Sequence, residues 1–370
     1  MARRPGRFPL FDGLRAIAAL SVVAVHFAAY TSSLNTGAVR AVTSQLAAGV
    51  CVFFLISGFL LYRPFVAARL ERGSRDLPSY ARGRVLRIVP AYWFALTVLA
   101  LWPGLPGVFT RDAWVYYLFG QNYSVHTFGH GISPAWSLGT EVTFYAVLPV
   151  YAWLLSRPRF ARRVGRSELV GLSVLFAGSW LFRGLAGDYT LGHNWVGQTL
   201  GGTFDWFALG MGAAVVSCLR PRLRIRPLAP LLAAAACIFA AAVWTYHSPN
   251  ADQYSAGPIH ILWAGAALGL LLPVAFAAPR TGFAALLSSR VMVQLGVVSY
   301  GIYLWHLPLI IEAHTLSLHH PGIPPVLLRL AAVAVAVAAA FVSYYALERP
   351  ALALKRRRRE PIAEATPVAA

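Results

Sequence analysis

Apolar residues fall into ten blocks along the chain, at 10–30, 46–66, 90–106, 135–155, 169–187, 200–218, 227–247, 258–278, 291–311 and 326–347. Each is roughly 18–22 residues long, the span of a helix that crosses a bilayer's hydrocarbon core. The block at 90–106 is the shortest. In lipid the backbone has no water to bond, so each block predicts a membrane-spanning helix. The pattern therefore predicts an all-α, polytopic integral membrane protein of about ten transmembrane helices. Residues 1–350 are expected to form the transmembrane domain, and 351–370 a basic cytoplasmic tail. That tail ends in "EPIAEATPVAA", a composition expected to be disordered. No internal repeat is visible, only Ala-rich stretches at 229–242 and 331–340.

Composition agrees: 58% of residues are hydrophobic and only 12% are charged, about half the charged fraction of a soluble domain. The formal net charge of +19 invites a nucleic-acid reading, so its distribution matters. Of the 32 Lys and Arg, 27 lie on alternate connections: Arg3, Arg4 and Arg7; the run from Arg63 to Arg87; Arg157 to Arg166; Arg220 to Arg226; Arg280 and Arg290; and Arg349 with Lys355 to Arg359. The opposite connections offer only Arg40, Arg111 and Arg183, with Arg329 just inside the last span. That asymmetry is the positive-inside pattern. It places both termini in the cytoplasm, supports an even number of spans and leaves no basic surface for nucleic acid. Cys51, Cys218 and Cys237 lie in apolar segments without metal-ligand spacing, as small buried apolar residues do. Asp12 and Arg15 interrupt the first apolar stretch, which argues against a cleaved signal peptide.

An ionisable side chain within a span is costly unless it is paired or faces a wet cavity, which makes each one a functional candidate. The first span holds two, Arg15 and His26. Eleven residues at about 100° each return to within roughly 20° of the start, so both share one helix face, about 16 Å apart along the axis. Asp12 lies three residues before Arg15, on nearly the same stripe. With the N-terminus inside, Arg15 falls in the cytoplasmic half of the bilayer and His26 in the outer half. Taken alone, the pair also fits an arginine that snorkels to the headgroups and a histidine bonded to a neighbouring helix.

Other spans place polar groups at the depth of His26. The fourth begins "SPAWSLGTEVTFY", which sets Glu141 seven residues in from Pro134 and Tyr145 one turn deeper on the same face. The ninth reads "VVSYGIYLWHLPLIIE" and brings Tyr303 and His306 to the outer half, and the sixth adds Asp205 near its outer end. Such a cavity supports proton transfer: a histidine takes the proton of a hydroxyl near neutral pH, and a carboxylate orients it. No serine or cysteine has a nucleophile-elbow context, so direct attack by an acceptor hydroxyl fits better than a covalent acyl-enzyme. No metal cage is evident; the histidines of "HTFGH" at 126–130 fall in an outer loop.

These motifs resemble the acyltransferase family 3 membrane proteins, which move acyl groups from acyl-CoA to hydroxyls of glycans and glycosylated natural products. The resemblance covers nearly all of 8–350. It is carried by the Arg15–His26 pair, "GVCVFFLISGFLL" at 49–61, "RGRVLRIVPAYW" at 82–93, "QNYS" at 121–124, "PAWSLGTEVTFY" at 134–145, "SYGIYLWHLP" at 299–308 and "ERP" at 348–350. It implies that His26 is the catalytic base, that Arg15 is required with it, and that Arg84 and Arg87 serve the acyl-CoA co-substrate. Guanidinium groups suit that role, because they grip phosphate through fork-like hydrogen bonds.

The expected mechanism puts acyl-CoA at the cytoplasmic face, held by Arg84, Arg87 and Arg15, with its pantetheine arm reaching towards His26. An acceptor hydroxyl of a carbohydrate or glycoside loses its proton to His26, and Glu141 assists orientation or charge. Asp12, Asn122, Trp136, Ser137, Tyr145 and His306 are expected to bind the acceptor, while Ser57 and Gly58 provide close helix packing. The expected location is the bacterial cytoplasmic membrane. Some members of the family carry a soluble hydrolase-like domain after the membrane part. This chain stops about twenty residues past its last block, so the membrane domain is expected to acylate the final acceptor itself or to hand over to another protein. The alternative from another class is a proton-coupled transporter or flippase of a glycan or lipid-linked substrate, which buried His and Glu also suit.

Overall fold

A computed structural model of the chain describes residues 9–71, 73–157, 164–186, 195–249, 257–276 and 281–357. The helices in chain order are α1 (Pro9–Ala29), α2 (Gly37–Thr43), α3 (Gly49–Leu70), α4 (Leu77–Leu99), α5 (Ala113–Tyr117), α6 (Trp136–Leu155) and α7 (Val164–Ala186). They continue with α8 (Leu200–Leu219), α9 (Leu228–His247), α10 (Gly257–Phe276), α11 (Gly282–Leu287), α12 (Arg290–His319), α13 (Pro325–Ser343) and α14 (Arg349–Arg357). Among the described residues the structure is all-α, and 10 helices are long and apolar enough to cross a membrane. Each overlaps one block of the hydropathy pattern, but α4 begins at Leu77, well ahead of the block at 90–106, so Arg82, Arg84 and Arg87 lie on that helix and not in a connection as the sequence pattern suggests.

Burial separates the centre of the bundle from its rim. In the apolar windows of α3 and α12, 72% of residues are buried against protein, against 11% for α7 and 17% for α9. The last two thus present apolar side chains outward, as lipid-facing helices do. Helix α1 packs between α12 and α3; α3 is backed by α8 and α10, which carry α7 and α9 on their outer sides. Helices α4 and α6 close the remaining side, and α13 and α14 pack on α12 and α4.

Small residues set the closest approaches. A methyl group at Gly58 would run into the Phe207 carbonyl of α8, and one at Gly210 into the Leu55 carbonyl of α3, so the two backbones touch reciprocally. The packing role expected for Gly58 is what the structure shows. Gly296 of α12 likewise meets the Asp12 backbone of α1, which brings α12 close beside the Asp12–Arg15 turn.

Helix α14 carries regular structure seven residues into the segment expected as a tail; the remainder, 358–370, lies outside the described residues. So do Arg3, Arg4, Arg7, Arg72, Arg159, Arg162, Arg163, Arg280, Arg358 and Arg359 from the charge pattern.

Candidate functional site

Two cavities lie among α1, α3, α6 and α12. The larger, about 480 Å³, is lined by five arginines, namely Arg15, Arg63, Arg75, Arg84 and Arg87, and by the carboxylates Asp12 and Glu141. Its walls also include Ser57, Ser137, Tyr145 and Ser299. The smaller, about 220 Å³, contains His26, Trp136, Phe128, Pro134 and Gln198. Tyr303 alone lines both cavities.

In the larger cavity the sequence periodicity of α6 is plain. Ser137, Glu141 and Tyr145 follow one another at i, i+4 and i+8 and line it together. Ser57 of α3 donates to Glu141 Oε1. Arg15 approaches Asp12 Oδ1 at 3.5 Å, and the Arg84 guanidinium sits 5.8 Å from the Tyr145 ring centroid. Arg75 lies over Phe65 at 5.1 Å and Tyr80 at 5.6 Å, while Arg63 Nε donates to Ser217 Oγ at 3.1 Å. An excess of guanidinium over carboxylate gives this concave wall a net positive charge, which suits an anion. Arg63 and Arg75 were not singled out by the sequence, where they read as ordinary basic residues of a connection; only the fold turns them inward.

In the smaller cavity the partner of His26 is His306, with Nδ1 and Nε2 3.0 Å apart. His306 is fully buried, and its Nδ1 lies 3.1 Å from the Ile302 carbonyl. A carbonyl only accepts, so Nδ1 of His306 carries the proton. In a neutral imidazole this leaves Nε2 of His306 bare. His26 must then donate from Nδ1, and its own Nε2 keeps a free lone pair. Such a histidine is oriented and tautomerically set to accept a proton.

The residues singled out in the sequence divide between these chambers. Asp12, Arg15, Arg84, Arg87, Ser137, Glu141 and Tyr145 share the larger, whereas His26 and Trp136 line the smaller. His306 stands behind His26. Glu141 and His26 therefore lie on opposite sides of Tyr303, whose hydroxyl donates to the Pro134 carbonyl at 2.8 Å and lies 2.8 Å from Ser137 Oγ. Asn122 lines neither cavity; it is fully buried and donates to Thr140 Oγ1 at 3.0 Å. Asp205 shares a depth with His26 but belongs elsewhere. It pairs with His260 at 2.7 Å and accepts from Ser179 at 3.2 Å, in a buried cluster between α7, α8 and α10. His260 could have been flagged by the signal that flagged His26, a histidine within an apolar span. Among the described residues no group of three His, Cys, Asp or Glu side chains gathers as a metal site.

The Acyl_transf_3 family model, described as an acyltransferase domain, matches residues 9–345. The chain is 24% identical over 357 residues to the peptidoglycan O-acetyltransferase OatA of Listeria monocytogenes, covering 88% of this chain and 53% of that protein. It is 26% identical over 374 residues to the O-acetyltransferase OatA of Staphylococcus aureus, covering 94% and 57%. It is also 26% identical over 294 residues to nodulation protein 10 of Rhizobium leguminosarum bv. viciae, covering 73% and 72%. The chain thus spans about half the length of the OatA proteins it matches. No solved structure matches it.

Proposed function

Because the chain belongs to the Acyl_transf_3 family of acyltransferases, we propose that it is a membrane O-acyltransferase. It moves a short acyl group from acyl-CoA to a hydroxyl of a carbohydrate, such as the peptidoglycan named for one relative, or of a glycosylated metabolite. It works in the bacterial cytoplasmic membrane with both termini inside, so that the arginine-lined cavity faces the cytoplasm.

The observation that carries this reading is the pairing of an anion-binding chamber with a histidine base across one shared side chain. Arg84, Arg87, Arg63, Arg75 and Arg15 hold the phosphates of the donor, each by charge-assisted hydrogen bonds. Asp12 and Glu141 keep the guanidinium cluster from repelling itself apart, and Ser57 holds the Glu141 carboxylate in register. At the far chamber, Nε2 of His26 removes the proton of the acceptor hydroxyl. The oxygen attacks the thioester carbonyl carbon, the carbon–sulfur bond breaks, and the proton passes from His26 to the departing sulfur. His306 holds the imidazole in the required tautomer, the part that the sequence reading had given to Glu141.

The test uses purified protein, radiolabelled acetyl-CoA and glycan acceptors. His26→Ala, folded and still binding the donor, should transfer no label; normal transfer by that variant would remove the base. Two cavities that share a lining residue also suit a carrier that opens to each side in turn. Substrate flux in proteoliposomes without acyl-CoA would favour that reading, and covalent product the transferase.

A further inference from the structure

Gln198 is one of the residues that line the His26 cavity. The residue is 7% exposed, and its Oε1 has no hydrogen-bond partner among the described residues. Buried polar atoms are almost always bonded, so an unmatched one beside a cavity marks a place where a ligand can bond. The backbone that carries this amide is fixed from several directions. Gln198 N donates to the Trp195 carbonyl at 3.0 Å, Thr140 Oγ1 donates to the Gln198 carbonyl at 2.6 Å, and Asn122 Nδ2 donates to Thr140 Oγ1 at 3.0 Å. The main chain is held and the polar end of the side chain is left over.

Its neighbours define what could bond it. Trp136 and Phe128 give the same cavity aromatic surface, against which the C–H face of a ring can lie. His26 supplies the base, and an amide both donates and accepts. Aromatic surface beside an unmatched amide and a base fits a polyhydroxylated ring with adjacent polar substituents.

We propose that Gln198 binds the acceptor through the hydroxyl or acylamino group next to the hydroxyl that His26 deprotonates. Asn122 and Thr140 are positioning residues that act through the Gln198 main chain. The inference rests on the transferase reading above and names its acceptor subsite.

The test measures acetyl transfer by the full chain from acetyl-CoA to soluble glycans: a β-1,4-linked N-acetylglucosamine tetramer, cellotetraose and methyl glucoside. Gln198→Ala should raise the acceptor KM about tenfold, the worth of one hydrogen bond of ordinary strength, while the acetyl-CoA KM stays at the wild-type value. Thr140→Val should shift the acceptor KM in the same direction, and the double variant should add little to Gln198→Ala, because both act on one group. An unchanged acceptor KM in Gln198→Ala, or equal rises in both KM values, overturns the assignment while leaving the transferase reading intact. Should Gln198→Ala fail to fold, Thr140→Val against wild type decides by the same two readouts. A wild-type protein that acetylates none of the glycans removes the transferase reading, and this subsite with it.

Discussion

Replacing His306 with phenylalanine isolates what the histidine pair does. Phenylalanine fills a similar volume but offers no acceptor, so Nδ1 of His26 loses the partner that stands 3.0 Å away. Removing one member of a buried hydrogen bond costs about 1–3 kcal/mol, and each 1.4 kcal/mol is tenfold in rate. The lost orientation should therefore lower kcat by about 5- to 150-fold. His306 lines neither cavity, so the KM for acyl-CoA should not move. His306→Gln provides the control, since its side-chain oxygen can reach the position of Nε2 and accept from His26; it should recover much of the lost rate. The assay is steady-state transfer of radiolabelled acetyl from acetyl-CoA to glycan, with thermal unfolding in detergent to confirm that both variants fold. A fully active, folded His306→Phe would refute the tautomer argument. So would a glutamine variant no better than the phenylalanine one.

Joint replacement of Arg84 and Arg87 by alanine should raise the acyl-CoA KM at least tenfold, since a hydrogen bond to a charged group is worth about 1.5–3 kcal/mol. Raising the salt should narrow the gap from wild type, and equal KM values at low salt would leave these arginines as topological charge only. Tyr303→Ala should merge the two chambers and increase acyl-CoA hydrolysis measured without acceptor, with Tyr303→Phe, which keeps the ring, showing less. Unchanged hydrolysis in the alanine variant would mean that Tyr303 is not the barrier. Asp205→Asn should weaken the fold by about 1–3 kcal/mol, the cost of disturbing a buried hydrogen bond, seen as a lower unfolding temperature with the acyl-CoA KM unaltered. A stable variant with altered donor affinity would tie that cluster to the chemistry instead.

The ten spans were legible because lipid imposes one length on every apolar segment. The shared cavity wall of Asp12 and Arg15, and that of Ser137, Glu141 and Tyr145, followed from helical periodicity within single segments. Contacts between helices did not follow. Depth put His26, His306, Glu141 and Asp205 in one layer, but three separate environments receive them, because neighbours are chosen by packing. The reciprocal approach of α3 and α8 at Gly58 and Gly210 is one such choice, and it needs both helices at once to be seen. Ser57 shows the same limit. It sits in a small-residue stretch that reads as packing, and only the arrival of α6 makes it a donor to Glu141. The motif of Asn122 points to the acceptor, but packing turns its side chain to Thr140 and away from both cavities.

The lining that Tyr303 gives to both cavities bears on what must travel through the membrane. A carrier would have to desolvate a polyanion and rock two halves of a bundle around it. On the proposed reading the phosphates stay among the guanidiniums on one face, and only a small uncharged acyl fragment goes past Tyr303. On the proposed reading its leaving group departs by the side from which it came. The reaction is then also the translocation step: bond exchange moves the fragment from a nucleotide thioester on one face to an ester on the other. No charge crosses the hydrocarbon, and the reactivity of the thioester rather than an ion gradient drives the vectorial transfer.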